Sequence, residues 1–470
     1  MKTPIRPLFS TIPTSLRVAV CALAGLSFVA CDGVTQTRST DDVSSLSPTR
    51  EDAAGAAPST PPILPPPSIS SLPSPPSTPS PATGATDESV DADVGLSGFQ
   101  NFGDPNFDRL VGKIRVLQSQ KAPTGTVLRI TQFGDSHTAS DTITSGLRRL
   151  LQARFGDAGI GWIAPMRVPS QSHQRVKYES KGWELSSSRH ATDVSRQRIF
   201  PMGGYIATPV KRGAKITVLS RDESSGAWHA RFVVKHWKAP LTVRDANSRR
   251  VDLKSPGPSG LWREVDVKPA LRLPLAISAG APDDAELGGI WLEKNRSSGV
   301  VVSAIGANGT ILKNWEYWSP LQWTEQLATS RSDVIILAYG TNEAIRANLD
   351  VSDMKNVLRE SVRTVRKALP NSVIVIVGAP DSIHVKEREE FRCEERLFPM
   401  LREVKRAQLE VAKERKTLFW DWQAAMGGPC AIDTWFDEGL AKEDLTHLTM
   451  DGYRKSAEIF YRDFMAIIGD

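Results

Sequence analysis

The chain of 470 residues is too long for one ordinary domain and long enough to bury a large hydrophobic core. Its hydrophobic fraction of 40% and charged fraction of 24% are typical of a globular protein. The formal net charge is only +5 and the chain has no dense run of Lys and Arg, so its composition does not indicate nucleic-acid binding. At most, this charge supports a weak attraction to anionic polymers of a cell envelope.

Residues 1–31 have the pattern of an export signal that is not part of the fold. Lys2 and Arg6 give the segment a positive start, and an apolar stretch follows at residues 18–30, which is shorter than the roughly 20 residues of a membrane span. The stretch ends in LSFVAC, which resembles the lipobox of bacterial lipoproteins and implies that Cys31 carries a lipid. Phe28 departs from that pattern, so plain secretion stays an alternative. We expect an exported protein, lipid-anchored in the bacterial cell envelope and facing the periplasm.

Residues 32–95 lack apolar periodicity, and proline is dense between Pro58 and Pro81. A chain of this composition cannot bury enough apolar surface to offset its conformational entropy, so we predict a disordered linker. It could be a spacer that holds the globular part away from a membrane, or a tail without a selected length.

The globular part is predicted to begin at residue 96 with a segment of α/β character, residues 96–165. Within it, VLRITQFG reads as a buried strand that ends just before Asp135 and Ser136. The following TITSGLRRLLQARFG has the spacing of an amphipathic helix, with Ser140 or Asp141 available as its N-cap and a glycine at its end.

Residues 166–300 change character. Short β-type runs alternate with Gly, Pro, Asn and Asp turns, and this regular spacing predicts an all-β sandwich. Residues 301–470 return to buried strands that alternate with helices, the pattern of a parallel α/β architecture. We therefore predict one α/β domain, built from residues 96–165 and 301–470, with a β-sandwich inserted into it.

Three predicted α/β strands end in polar loops that carry Ser136, the segment from Gly306 to Gly309, and Asn342. Ligands of open parallel sheets lie beyond the carboxyl ends of the strands, so these loops should converge there. Near the C-terminus, Asp444 and His447 stand three residues apart, where a carboxylate can orient an imidazole.

A serine hydroxyl needs a base to become a nucleophile, and that base needs a neighbouring group that orients it. The oxyanion that develops on the substrate needs hydrogen-bond donors aimed at it. The sequence supplies Ser136 as nucleophile, His447 as base and Asp444 as the orienting group. The backbone N–H of Ser136, the N–H of Gly309 and the side-chain amide of Asn342 would form the oxyanion hole. Gly306 is the alternative glycine because it lies only three residues away.

The segments GDSH, GANG, GTNE and DLTH resemble, in this order, the four blocks of the SGNH (GDSL) hydrolase superfamily. The resemblance implies a flavodoxin-like three-layer α/β/α domain and a serine esterase. It assigns the triad to Ser136, Asp444 and His447, and the oxyanion donors to Gly309 and Asn342. Glu343 stands where many relatives have Asp, and we do not expect this difference to damage catalysis.

A narrower resemblance is to exported peptidoglycan O-acetylesterases, carried by GDSHTASD, LLQARFGDAGIGW, IGANGT, FWDWQAAMGG and DLTHLTMDGY. In that family a carbohydrate-binding-like β-sandwich is inserted between the Ser and Gly blocks. Here, too, the segment between Ser136 and Gly309 is far longer than the roughly 30 residues of a simple βαβ unit. The resemblance implies that acetyl groups are removed from the C6 hydroxyl of N-acetylmuramic acid through an acetyl-Ser136 intermediate.

Three other functions stay open at this point. The chain could be a polysaccharide or peptidoglycan O-acetyltransferase, or an acetylesterase of another polysaccharide. It could also be a non-catalytic glycan-binding lipoprotein with a vestigial triad. We expect an acetylated cell-wall glycan and the membrane, through the lipid anchor, as partners, and no nucleic acid.

The aromatic residues and the remaining histidines allow two interpretations each. The tryptophans of the predicted insertion could stack on sugars or pack in its core: Trp183, Trp228, Trp237, Trp262 and Trp291. The segment NWEYWSPLQW, residues 314–323, could contact substrate or form a packed covering helix. We expect His137 to line the site or to pack beside it, and not to be a second catalytic group. No cofactor and no metal site are predicted, because the other histidines lack ligand spacing: His173, His190, His229, His236 and His384.

Cys393 and Cys430 remain as a pair once Cys21 and Cys31 are assigned to the export signal. Export places them in an oxidising compartment, so a disulfide is expected, with two unrelated buried thiols as the alternative.

Overall fold

The computed structural model describes residues 98–119, 122–190, 200–222, 226–385 and 391–469. The predicted export signal, the predicted lipid attachment residue Cys31, the predicted linker and the predicted first residues of the globular part lie outside these ranges. In the described part of the chain, no helix is both long enough and apolar enough to span a bilayer.

The strands, numbered along the chain, are β1 Phe99–Asn101, β2 Val127–Gly134, β3 Gly159–Ile163, β4 Val176–Lys181, β5 Trp183–Ser187, β6 Tyr205–Pro209, β7 Lys215–Ser220, β8 Ala227–His236, β9 Leu241–Arg244, β10 Arg250–Leu253, β11 Arg263–Arg272, β12 Leu275–Ser278, β13 Ala285–Lys294, β14 Gly299–Gly306, β15 Val334–Ala338, β16 Val373–Gly378 and β17 Leu418–Asp421. The α-helices are α1 Phe107–Gln118, α2 Ser136–Ala139, α3 Thr142–Phe155, α4 Pro320–Ser330, α5 Thr341–Ala344, α6 Val351–Ala368, α7 Cys393–Arg396, α8 Leu401–Arg415, α9 Trp422–Met426, α10 Ala431–Asp437 and α11 Met450–Ile468.

The central sheet of the α/β domain has the strand order β1-β17-β16-β15-β2-β14. Only β1 runs antiparallel to its neighbour, and the other adjacent strands are parallel. The strands β15 (VIILA) and β16 (VIVIVG) are buried along their whole length. Continuous apolar runs of this kind are expected where helices cover both faces of a parallel sheet.

Helices pack on both faces of this sheet. One hydrophobic core contains residues of α1, α3 and α11, including Ile114, Leu147 and Phe460. The core on the other face contains residues of α4, α6 and α8, including Val362 and Val411. The predicted three-layer α/β/α fold is therefore confirmed.

The helix α3 follows the nucleophile segment and ends, as its sequence predicts, with Gly156 at positive φ as its C-cap. Asp141 occupies the N-cap position, but its side chain makes no capping hydrogen bond. The carboxylate instead accepts hydrogen bonds from Thr144 at 2.7 Å and from Arg148 at 2.8 Å, and both partners are buried. This ion pair ties the start of α3 to its second turn.

The insertion is a sandwich of two antiparallel sheets. One sheet has the order β10-β9-β12-β7-β4, and the other has the order β11-β8-β13-β6-β5. Alternate residues of β7 and β12 point inward and are fully buried, among them Ile216, Val218 and Ile277. This period of two is what a strand with one buried face requires, and it explains why the sequence pattern revealed the sandwich.

The predicted start of the insertion at residue 166 is too late. The strand β3, Gly159–Ile163, pairs antiparallel with β13 and so joins a sheet of the sandwich. Its glycines allow this position: a Cβ atom on Gly159 would lie 2.7 Å from the Cα of Glu293. One on Gly161 would lie 2.1 Å from the Oγ of Ser303 in β14. The strand β3 thus fits closely between the two domains. From the sequence, a glycine-rich segment after a helix does not show that it pairs with a strand of the sandwich.

Most of the aromatic side chains that could have bound sugar are buried. Trp228, Trp262 and Trp291 are no more than 2% exposed, Trp183 is 8% exposed, and only Trp237 among the five, at 43%, is open to solvent. The segment of residues 314–323 contributes three further buried tryptophans that pack on one another and on Phe133: Trp315, Trp318 and Trp323. Both sets therefore belong mainly to hydrophobic cores.

Cys393 and Cys430 form a disulfide with a Cα–Cα distance of 5.8 Å. The bond joins the start of α7 to the residue that precedes α10. Asp381 supports the same region, because its carboxylate accepts a hydrogen bond from the backbone N–H of Ile432 at 3.0 Å. These contacts hold the segment that leads into the loop of Asp444 and His447.

Candidate active site

The candidate nucleophile Ser136 is the first residue of α2, directly beyond the carboxyl end of β2. Asp135 caps this short helix by accepting a hydrogen bond from the backbone N–H of His137 at 3.0 Å. Gly134 makes the turn possible, because a Cβ atom there would lie 2.2 Å from the Oγ1 of Thr138 and 2.6 Å from the carbonyl oxygen of Ala338. The Gly-Asp-Ser sequence therefore allows α2 to pack directly on the strand ends.

The three predicted triad residues form one continuous hydrogen-bonded chain. The Nε2 of His447 lies 2.8 Å from the Oγ of Ser136, and its Nδ1 lies 2.8 Å from Oδ2 of Asp444. The second carboxylate oxygen of Asp444 accepts the backbone N–H groups of His447 at 2.8 Å and Thr446 at 3.1 Å. This geometry is that of a serine, a base and an orienting carboxylate.

The carboxyl group of Asp444 is held in its ionised form. Partial burial raises its pKa, but the hydrogen bonds and the electrostatic attraction from His447 outweigh this effect, and the pKa lies well below its usual value. An ionised Asp444 favours the tautomer of His447 that carries its proton on Nδ1. The Nε2 atom is then free to accept the proton of Ser136.

Asn342 and Gly309 line the same cleft as Ser136 and His447. Asn342 lies in α5 after β15, and its Nδ2 donates a hydrogen bond to the carbonyl oxygen of Thr310 at 3.0 Å. This bond joins the segment after β15, which carries Asn342, to the loop after β14, which carries Gly309 and is called the Gly loop. Gly309 has φ +71°, a conformation that side-chain-bearing residues rarely adopt and that glycine adopts without strain.

Gly306 has a different position from Gly309. A Cβ atom on Gly306 would lie 2.6 Å from the backbone nitrogen of Ala139 and 2.9 Å from the carbonyl oxygen of Asp135. Gly306 thus lets α2 pack on the end of β14. The geometry favours Gly309 as the glycine that faces a substrate, which is the assignment made from the sequence.

The inserted sandwich holds the Gly loop in place. The hydroxyl of Tyr205, in β6, donates to the carbonyl oxygen of Gly306 at 3.0 Å and accepts from Gln171 at 2.8 Å. The side chain of Asn308 donates to the carbonyl oxygen of Ser170 at 3.3 Å. The sequence patterns did not indicate these contacts, because they join segments far apart in the chain.

His137 lies beside the triad in a buried position, as expected. Its Nδ1 is 2.9 Å from the hydroxyl of Tyr453, and its ring centroid is 5.3 Å from that of His447. Burial, together with electrostatic repulsion from His447, lowers the pKa of His137 to about 3. The ring is therefore neutral near neutral pH and packs against the ring of His447.

Two buried carboxyl groups lie behind the site. Burial and, to a smaller extent, the neighbouring Glu343 raise the pKa of Asp135 to about 7. Burial also raises the pKa of Glu343, whose Oε1 accepts the backbone N–H of Leu312 at 3.0 Å. Glu343 thus supports the segment after the Gly loop, which is a structural use for the residue that replaces the more usual Asp.

The other histidines form no metal site in the part of the chain that the structure covers. There, no cluster of three or more His, Cys, Asp or Glu side chains could hold a metal ion. His173, for example, is partly buried, and its Nε2 lies 3.4 Å from the carboxylate of Asp141.

Two family models match the chain. The model described as "Peptidoglycan O-acetylesterase, N-terminal" matches residues 158–276, and the one described as "GDSL-like Lipase/Acylhydrolase family" matches residues 277–455. A solved structure of a peptidoglycan O-acetylesterase is 32% identical with a TM-score of 0.69, and the match covers 79% of this chain and 99% of the other. The chain belongs to the peptidoglycan O-acetylesterase family.

The matches to the GDSL-like hydrolase model and to the solved peptidoglycan O-acetylesterase show that this chain is an SGNH serine esterase. More distant structures share less sequence. A GDSL-like lipase of Parabacteroides merdae is 17% identical with a TM-score of 0.29, over 35% of this chain and 72% of the other. A salicylyl-acyltransferase from a tetracycline biosynthetic pathway is 15% identical with a TM-score of 0.30, and the match covers 65% of this chain and 97% of the other. The curated proteins contain no significant match.

Replacing Asn342 with Ala should lower kcat for an ester substrate by about 10²–10³-fold, because an oxyanion donor would be lost. The exposed Asn348, near the same loop, provides a matched control. Asn348→Ala should keep the kcat of the parent. Steady-state kinetics on an aryl acetate measures both, and a loss of less than about tenfold in Asn342→Ala would remove Asn342 from the oxyanion hole.

The buried His137 should make stability depend on pH. Below about pH 6.5 the unfolded chain takes up a proton at His137, whereas the folded protein does so only near its pKa of about 3. The free energy of unfolding should therefore fall as the pH decreases from 6.5 to 3, by up to about 1.4 kcal/mol per pH unit from this group. Urea unfolding at several pH values measures the slope. His137→Gln should reduce it, and an unchanged slope would contradict the burial of a neutral His137.

Proposed function

We propose that this protein removes acetyl groups from the C6 hydroxyl of N-acetylmuramic acid in peptidoglycan. The observation that carries the proposal is the continuous hydrogen-bonded chain from Ser136 through His447 to Asp444. It lies in a cleft to which both domains contribute, and a solved peptidoglycan O-acetylesterase matches this chain over 99% of its own length.

The first half-reaction acylates Ser136. Its Oγ attacks the acetyl carbonyl carbon while the Nε2 of His447 takes the hydroxyl proton. The oxyanion is held by the backbone N–H groups of Ser136 and Gly309 and by the side-chain amide of Asn342. When the tetrahedral intermediate collapses, His447 returns its proton to the departing sugar oxygen, and acetyl-Ser136 remains.

The second half-reaction regenerates the enzyme. His447 takes a proton from a water molecule that attacks the acetyl carbonyl, and Ser136 leaves as an alcohol when His447 protonates it. The cleft has a volume of about 700 Å³ and most of its lining residues carry polar side chains, so water can reach the acyl group. This access favours hydrolysis over transfer of the acetyl group to a second sugar.

We also propose that the protein acts outside the cytoplasm, anchored by a lipid on Cys31, with residues 32–95 as a spacer. The support is the lipobox-like sequence before Cys31 and the Cys393–Cys430 disulfide, which is typical of oxidising compartments. Peptidoglycan lies in the same extracytoplasmic space, so the location agrees with the proposed substrate.

Acetate release from O-acetylated peptidoglycan sacculi tests the proposed function. The full chain should release acetate, and Ser136→Ala should lower the rate by at least about 10³-fold because the nucleophile is gone. Ser259, exposed in a loop of the sandwich, gives a matched control, and Ser259→Ala should keep the parent rate.

Two results would contradict the proposal in different ways. If sacculi release no acetate while an aryl acetate is still cleaved, the triad functions but the substrate is another acetylated molecule. If Ser136→Ala releases acetate as fast as the parent, Ser136 is not the nucleophile.

A further inference from the structure

The cleft around the triad has a strongly one-sided charge. Among the residues that the structure describes, its lining includes three cationic side chains, those of Arg167, Arg189 and Lys442, and no carboxylate-bearing residue. All three cations are exposed, and none makes an ion pair with a carboxylate in the described ranges. Three exposed cations without a described acidic partner therefore lie around the candidate nucleophile Ser136.

These cations come from three separate segments of the chain. Arg167 lies in the loop after β3, and Arg189 lies in a short 3-10 helix, Ser188–His190, that follows β5. Lys442 lies in the loop before Asp444, where its backbone N–H donates to the carbonyl oxygen of His447 at 2.8 Å. The insertion thus provides two of the cations and the α/β domain provides the third.

The position of Arg189 relates this charge to the reaction centre. Its guanidinium atoms lie 2.8–2.9 Å from the point that a Cβ atom on Gly309 would occupy. The guanidinium group therefore covers the backbone of the candidate oxyanion glycine. An anion bound by Arg189 would lie next to the ester that Ser136 attacks.

The nearby carboxylates do not cancel this charge. Asp141 is buried, and although burial raises its pKa, Arg148 and His173 outweigh this effect and lower the pKa to about 2. Its charge is thus balanced by the buried Arg148. Asp444 is paired with His447, and Glu443, next to Lys442 in the chain, does not line the cleft.

We propose that Arg167, Arg189 and Lys442 form a subsite that binds a carboxylate of the substrate beside the acetylated sugar. The inference rests on the proposed function. In peptidoglycan, the matching group is a carboxylate of the lactyl-linked peptide stem on the same muramic acid residue. Guanidinium groups bind carboxylates through paired hydrogen bonds, and the lysine adds a point charge.

The subsite gives the enzyme a preference between classes of acetylated glycan. A neutral acetylated polysaccharide would leave the three cations without a partner, whereas a glycan with carboxylates would engage them. It also gives the insertion a direct part in substrate binding, through Arg167 and Arg189, although nearly all of its tryptophans are buried.

The test compares one substrate with and without its negative charge. Soluble O-acetylated glycan fragments with intact peptide stems are assayed before and after their carboxylates are converted to neutral amides. The full chain should show a kcat/KM at least about tenfold higher on the charged form, and added salt should reduce this advantage. Arg167→Gln combined with Lys442→Gln should lower the ratio of the two kcat/KM values to below about threefold.

Matched controls come from exposed cations elsewhere on the sandwich. Lys211 and Arg212 lie in the turn before β7, so Lys211→Gln combined with Arg212→Gln removes the same charges away from the cleft. This double variant should keep the parent ratio. Equal kcat/KM values of the parent on the charged and neutral forms would overturn the subsite, and so would an unchanged ratio in Arg167→Gln/Lys442→Gln.

Failure of the subsite is distinguishable from failure of the proposed function. If neither form of the glycan releases acetate, the peptidoglycan assignment fails. The subsite is then tested with carboxyphenyl acetate and its neutral amide, which differ only in one carboxylate. A preference of the parent for the charged ester that the cleft variant loses supports an anion subsite. The absence of any preference overturns it.

Discussion

The register of the central sheet is the constraint on which the site depends. In the parallel pairs on either side of β2, Gly134 lies opposite Gly306 of β14 and opposite Ala338 of β15. The three strands therefore end at one level, and the loops that follow them begin side by side. A shift of one residue in either pair would displace Gly309 or Asn342 along the strand direction by about 3.3 Å, more than the length of a hydrogen bond.

The inserted sandwich also positions the candidate site, because it contacts the Gly loop that follows β14. Tyr205 and Ser170 hold the Gly loop from the side of the insertion, and Arg189 covers the backbone of Gly309. Because β3 lies between β13 and β14, the sandwich is fixed to the sheet at the strand that carries this loop. The insertion is thus a wall of the catalytic cleft, and its own hydrophobic core keeps that wall rigid.

The proximity of the candidate triad residues could be predicted from the sequence because each lies in a short local motif. Ser136 follows a buried strand, and Asp444 stands three residues before His447, so local spacing was sufficient. The cations and Tyr205 could not be found in this way, since their roles come from contacts between distant segments. The position of β3 was missed for a related reason: its glycines are needed for close approach to Glu293 and Ser303, which only the folded chain brings near.

The most direct test of the mechanism is to identify the residue that carries the acetyl group during turnover. The full chain is mixed with an aryl acetate, quenched with acid within the first turnovers, digested and examined by mass spectrometry. We expect an acetyl group on the peptide that contains Ser136, at the oxygen that lies 2.8 Å from His447 in the free enzyme. An acetyl group on a different residue, with Ser136 unmodified, would contradict the triad described here.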